Sequence, residues 1–354
     1  MFQGSSDSGN GVPEGTEEKL RSRRLPAALR SGDLVRVVSP SWCGPALFPE
    51  RFAGGVRALE SALDVRVQVG RHALRQLGQG AGSRAERAAD LNAALADPEV
   101  RAIFWSIGGD VASELLDLVD YEAFRADPKI ICGYSDATVL HHALYAVCGA
   151  VTFYGPAVLT QWAEHEGPDP WTLESFRRAV TPGAAGLLPR SPHLIEEFVD
   201  WRDSPPTARR RDPARPRRAL REGAGSGPLL VGCLPSMLQL LGTRWMPDYR
   251  GHLLVLELPD TGYGMSQAGR DLWQLRNAGL LDDLAGLVVG RPRLFTSDSR
   301  EQLDQLLVEV TAGHDYPVVT EVEVGHTDPM LTLPNGVRAE LAGTDLTVLE
   351  SAVR

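Results

Sequence analysis

An α/β fold in two halves is what this sequence predicts, the first half on a parallel sheet and the second a smaller α/β unit. Three observations carry that reading. From residue 34, short β-rich runs alternate with longer amphipathic segments, the pattern of strands joined by crossover helices. Between about 157 and 228 the pattern weakens as Pro and Arg accumulate in SPPTARRRDPARPRR. A second alternating series then begins near residue 252, and 354 residues with 43% hydrophobic content suffice for two cores.

In the first half, residues 34–39 read as a strand, 48–63 as a helix, 65–69 as a strand and 84–96 as a helix. Residues 102–107 and 129–132 complete the strands. In the second half, HLLVLEL (252–258) is a strand, 266–277 a helix, LAGLVVG (284–290) a strand and 299–312 a helix, with two short strands around 337–349. The resulting division is a disordered N-terminal segment over 1–30, a first domain over 31–165, a crossing region over 166–228 and a C-terminal domain over 229–354.

Composition narrows the function classes. Thirty-six basic against 46 acidic side chains give a net charge of −10, which argues against nucleic acid or an anionic membrane as partner and for a small substrate. Residues 1–30 lack the apolar core of a secretory signal, and no later stretch is long enough to span a bilayer, so a cytoplasmic location is expected. Cys43, Cys132, Cys148 and Cys233 are scattered without zinc-type spacing and read as reduced, mostly buried thiols. With no phosphate-binding glycine loop after a strand, neither a cofactor nor a metal is expected.

Six arginines fall within residues 209–218. Folded over a ligand they could hold a phosphate or carboxylate; flanked by prolines, they read more simply as a solvated, mobile loop.

The chemistry concentrates in KIICGYSDATVLHHAL, where an apolar strand runs through Gly133-Tyr134-Ser135-Asp136-Ala137 directly into a helical pattern. A serine on so tight a turn needs small residues two before and two after it, and Gly133 and Ala137 supply them. The helix start would favour a developing oxyanion, with the Asp136 N–H as one donor and the Gly108-Gly109 backbone of SIGGD as the other. A plain helix cap is the competing reading of Ser135.

Of eight histidines, His326 has the most telling context, in VEVGHTDPMLTLPNG, where Gly325, Pro329 and Pro334 fix a loop. His141 and His142 read as packing or surface residues. Glu257 ends the otherwise apolar strand LLVLEL, a costly place for a carboxylate unless it is paired or used, although an exposed edge-strand charge would look the same.

Together, SIGGD with LLDLVDYEAF, DPKIICGYSDATVLHHAL, TFYGPAVL, LLGTRWMP, HLLVLELPD and VGHTDPMLTLPNGV resemble the LD-carboxypeptidase family, and within it the branch of microcin C self-immunity peptidases. The resemblance covers roughly residues 32–350. It implies a flavodoxin-like N-terminal domain carrying a nucleophile, Ser135, a smaller C-terminal domain carrying the acid Glu257 and the base His326, and a homodimer. Where relatives often carry Gly-Gly-Asn-Leu or Gly-Gly-Cys-Leu beside the substrate, this chain has Val231-Gly232-Cys233-Leu234, which places Cys233 at the substrate groove. In the segment that carries base-stacking tryptophans in the immunity branch, Trp201 is present and Leu194 stands near the second position.

The resemblance implies a serine peptidase acting through an acyl-enzyme on an aminoacyl or peptidyl nucleotide. A murein tetrapeptide LD-carboxypeptidase and a natural-product acyl transferase are alternatives on the same triad. A non-enzymatic binding protein on the same scaffold is a further rival.

Overall fold

The computed structural model describes residues 23–197, 199–202, 207–260 and 262–354. The first half contributes β1 (Leu34–Val38), α1 (Pro49–Leu63), β2 (Arg66–Val69), α2 (Arg84–Ala96), β3 (Val100–Trp105), β4 (Ile130–Gly133), α3 (Ala137–Cys148), β5 (Thr152–Tyr154) and α4 (Pro170–Ala179). The remainder contributes β6 (Ala184–Leu187), β7 (Arg218–Arg221), β8 (Ala224–Cys233), β9 (Leu253–Glu257), α5 (Met265–Asn277), β10 (Gly286–Gly290), α6 (Ser297–Val310), β11 (Val318–Val322), β12 (Leu333–Asn335), β13 (Arg338–Ala342) and β14 (Asp345–Ser351). The expected elements are all found, with ends shifted by a few residues.

The first sheet has the order β12-β5-β4-β3-β1-β2, parallel from β2 through β5. Crossover helices cover both faces, which is why its central strands are apolar without alternation: all of β4 and five of six residues of β3 are buried. The second sheet has the order β6-β14-β13-β8-β9-β10-β11-β7. Its middle strands β8 to β11 are parallel, and antiparallel strands close both ends.

Three expectations need correction. Residues 23–30 are ordered rather than part of a disordered terminus: the Ala28 N–H donates to the Arg354 carbonyl at 3.0 Å and the Arg354 N–H to the Pro26 carbonyl at 2.9 Å. Residues 1–22 lie outside the described residues.

The stretch 166–228 is more than a crossing. It supplies α4, whose Phe176 packs against Phe104 and Trp162 of the first core, and it supplies β6, β7 and the first half of β8 to the second sheet. Short, charged β7 is an edge strand, where polar composition suits a solvated rim and hides the strand from a hydrophobicity reading. In β8, Gly225 and Gly227 look like turn residues, yet a Cβ on either would lie 1.8 or 2.1 Å from the Ala285 or Gly251 carbonyl oxygen. The strand needs glycine because the neighbouring backbone passes so close.

The arginine run is not a free, solvated loop. Arg209 pairs with Glu164 and Asp328, Arg210 with Asp212, Arg211 with Asp169, Arg215 with Glu196 and Glu321, Arg217 with Glu323, and Arg218 with Asp304. Asp212 is local, but Glu164, Asp304, Glu321, Glu323 and Asp328 lie far away in sequence and stitch the run to both halves of the molecule.

The Arg217 and Glu323 side chains are 0% and 1% exposed, and removing Arg217 takes away the nearer guanidinium while leaving Glu323 the Arg291 contact at 3.5 Å and the Ser191 N–H. Arg217→Ala is expected to lower stability by about 1.5–3 kcal/mol, the scale of a hydrogen bond to a charged group. Arg210→Ala, at a guanidinium mostly in water, is expected to leave the urea midpoint unchanged. Equal midpoints for the two variants would contradict this account.

Candidate active site

The strand-to-helix turn after β4 has the geometry its sequence calls for. Ser135 has φ +62°, a left-handed conformation that a non-glycine residue holds only when its surroundings impose it, and Asp136 then takes the N-cap position of α3 without a side-chain capping bond. Gly133 is required by packing, since a Cβ there would lie 2.7 Å from the Trp105 ring. A Cβ on Gly108 would stand 2.8 Å from Ser135 Cβ, so the Gly108-Gly109 loop and the serine approach each other closely because that position carries no side chain.

That loop is tied to the turn by the Asp136 side chain, which is fully buried and points away from the cavity. Its Oδ2 accepts from Ser41 Oγ (2.5 Å) and the Ala112 N–H (2.9 Å), while Oδ1 has no partner among the described residues. Burial raises its pKa to about 6 despite these bonds.

Glu257 ends β9 with its carboxylate 1% exposed, which corrects the edge-strand alternative: β9 is central and the charge is enclosed. Its oxygens accept from His326 Nδ1 (2.8 Å), the His326 N–H (3.3 Å) and the Tyr154 hydroxyl (2.6 Å), and the Cys233 thiol also donates to it. Tyr154 in turn accepts from the Ser135 N–H at 2.9 Å. His326 reaches Glu257 because Gly325, at φ +89°, lets the chain pass over it; a Cβ there would lie 2.4 Å from the Glu257 side chain.

Burial alone would raise Glu257 and lower His326. The mutual charge and hydrogen bond outweigh burial on both, holding the carboxyl below its usual range and the imidazole above its usual value. With Nδ1 committed to Glu257, Nε2 is the nitrogen left to exchange a proton with a reacting group. The His326 ring stands edge-on to Tyr134, at 5.0 Å between centroids.

Ser135, His326, Gly108 and Gly109 line one cavity of about 700 Å³. Trp201 lines it too, but its sequence partner Leu194 is buried elsewhere. The neighbouring aromatics come from the first half: Phe48 meets Trp201 edge-on at 5.4 Å, and Trp42 lies 6.1 Å from Phe48. The Arg51 guanidinium sits 4.8 Å over the Trp201 ring and pairs with Glu164 at 2.7 Å. Sequence reasoning missed Trp42, Phe48 and Arg51, because their approach to Trp201 across some 150 residues leaves no local pattern.

Cys233 does not line this cavity. It is 1% exposed behind Glu257, where burial holds the thiol protonated and therefore a donor to the carboxylate rather than a thiolate ligand. Its sulfur and ligand atoms of Glu257 and His326 lie within 4.8 Å of one another, but as a hydrogen-bonded chain. Val231 is buried in β8 as well. His141 and His142 are wholly buried, kept neutral with pKa values near 4 and 3 by desolvation, and they bond the Gly133 and Val231 carbonyls. They are packing residues, not surface ones.

The chain belongs to the LD-carboxypeptidase family: residues 35–155 match its N-terminal domain and residues 226–341 its C-terminal domain. It is 31% identical to the microcin C7 self-immunity protein MccF of Escherichia coli, over 89% of this chain and 92% of that protein. It is 30% identical to a Bacillus subtilis protein named "Probable murein peptide carboxypeptidase", over 93% and 95%. The structure of MccF in complex with aspartyl sulfamoyl adenosine superposes with a TM-score of 0.87 at 28% identity, covering 94% of this chain and 100% of that one. No helix among the described residues is long and apolar enough to cross a membrane.

Asp136 generates a pH prediction. Its pKa is raised on folding, so the fold prefers its protonated form, and its contribution to stability is present at low pH and lost as pH rises through about 6. Asp136→Asn is expected to flatten the decline in unfolding free energy between about pH 4 and 7, as read by urea titration at several pH values. An unchanged slope would mean that folding does not shift the titration of this carboxyl.

Proposed function

We propose that this chain is a serine amide hydrolase in which Ser135 is the nucleophile, His326 the base and Glu257 the acid that orients it. The observation that carries the reading is the buried Glu257–His326 bond, whose imidazole shares a cavity wall with a serine on a left-handed turn. His326 Nε2 takes the Ser135 proton as Oγ bonds to the amide carbonyl carbon. The resulting oxyanion meets the Asp136 and Gly109 N–H groups. The imidazolium then protonates the departing amine as the C–N bond breaks, leaving an ester on Ser135. Water attacks that ester with His326 again as base, and the serine proton is restored.

The reaction needs neutral His326, whose pKa is raised by Glu257, so kcat/KM is expected to fall as pH drops through a value above the ordinary histidine range. Glu257→Gln removes the charge that raises it. The residual activity is expected to be lower by several orders of magnitude, with its acid limb moved to lower pH. Ser135→Ala is expected to abolish turnover with little change in melting temperature. Near-normal turnover in Ser135→Ala would remove the proposal.

For substrate, an aminoacyl or peptidyl nucleotide fits the cavity better than a murein tetrapeptide. Trp201, Phe48 and Trp42 line it with aromatic surface suited to a planar base, and a murein peptide offers nothing planar. The known complex of the similar MccF with aspartyl sulfamoyl adenosine supports the same choice. Purified enzyme offered aspartyl sulfamoyl adenosine and a murein tetrapeptide is expected to favour the nucleotide in kcat/KM. Trp201→Ala is expected to cost that substrate about ten-fold or more, since stacking contributes about 1–3 kcal/mol. Efficient D-alanine release, indifferent to Trp201→Ala, would mark a murein peptidase instead.

A further inference from the structure

Tyr154 is the last residue of β5, paired in register with Gly133 on one side and Leu333 on the other, and it is wholly buried. Its hydroxyl stands between the Ser135 N–H and Glu257 Oε1. The chemistry of the two partners fixes the direction of both bonds. A backbone N–H can only donate, so the phenol oxygen accepts there, and its single proton goes to a carboxylate that can only accept. Burial and the adjacent Glu257 charge keep the phenol protonated at any working pH.

We infer that Tyr154 is a positioning residue of the proposed triad, one hydroxyl that fixes the Ser135 turn and restrains the charge of Glu257 at the same time. The inference rests on the triad reading. Two properties give the hydroxyl this reach. The Ser135 N–H belongs to a residue in a strained left-handed conformation, and its bond to a side chain from a neighbouring strand helps to impose that conformation. Glu257 lies in the other sheet, so the same side chain sets the distance between the part that carries the serine and the part that carries the acid and the histidine. Donation to Oε1 also withdraws charge from the carboxylate whose Oε2 holds His326, so the phenol lowers the pull that Glu257 exerts on the imidazolium.

The test compares Tyr154→Phe with Tyr145→Phe. Tyr145 loses a buried hydroxyl bonded to His252 at 2.8 Å, a bond outside the triad, and serves as the control for a purely structural loss. Tyr154→Phe is expected to lower kcat by about 10- to 100-fold with KM nearly unchanged, the scale of one hydrogen bond to a charged group. It is also expected to move the acid limb of kcat/KM up by about half a pH unit or more, because a less restrained carboxylate favours the imidazolium. Tyr145→Phe is expected to leave the limb in place.

Should Tyr154→Phe not fold, 3-fluorotyrosine introduced at position 154 keeps the ring and makes the hydroxyl a stronger donor, so the limb is expected to move to lower pH. An acid limb unmoved in the folded Tyr154 variant, or shifted equally by Tyr145→Phe, overturns the inference. Retained turnover in Ser135→Ala would instead overturn the triad reading beneath it.

Discussion

A carboxylate enclosed at the end of a central strand is the constraint around which this molecule is arranged. Glu257 carries a charge that burial penalises, and the cost is offset only because donors converge on it from three separate segments: Tyr154 from β5, Cys233 from β8, and His326 from the loop after β11. Each segment must arrive at the right depth. The glycines at 290 and 325 make room, since a Cβ at either would stand within 3.0 Å of the Glu257 side chain.

The path of the chain after β11 follows from the same requirement. His326 follows β11 of the second sheet and meets Glu257 there, and the chain then continues into β12, which pairs antiparallel with β5 at the edge of the first sheet. Asp328, two residues after the histidine, accepts from Gln161 and from Arg209, and the Ile195 N–H donates to its carbonyl. The loop that carries the imidazole is therefore held by the first half, by the arginine run and by its own strand.

Much of this was legible in the residues, for identifiable reasons. Gly133 and Ala137 around Ser135, and a lone acid ending LLVLEL, are local signatures, because backbone sterics and burial impose them within a few residues. Tyr154 was illegible: a tyrosine ending an apolar strand is an ordinary strand residue, and its role depends on two partners 19 and 103 positions away. The arginine run misled for a related reason. Its carboxylate partners Glu164, Glu321, Glu323 and Asp328 are distant in sequence, so charge density read as solvation where the fold made ion pairs. Cys233 sits where family likeness put it along the chain, but its side chain faces the carboxylate rather than the cavity.

The strand β12 has a consequence for how this chain can be divided. The matches to the family's two halves suggest a cut anywhere between residues 155 and 226, yet a fragment ending there would leave β5 as an unpaired sheet edge. Its complement would carry a loose three-residue strand and a C-terminal Arg354 deprived of its clasp with Pro26 and Ala28. Exposed edges of that kind pair with whatever strand is nearby, most often another copy. Exchange of halves between relatives would accordingly succeed only where the incoming segment rebuilds that border, so the unit that must be kept whole is the closed circuit of both sheets rather than either half.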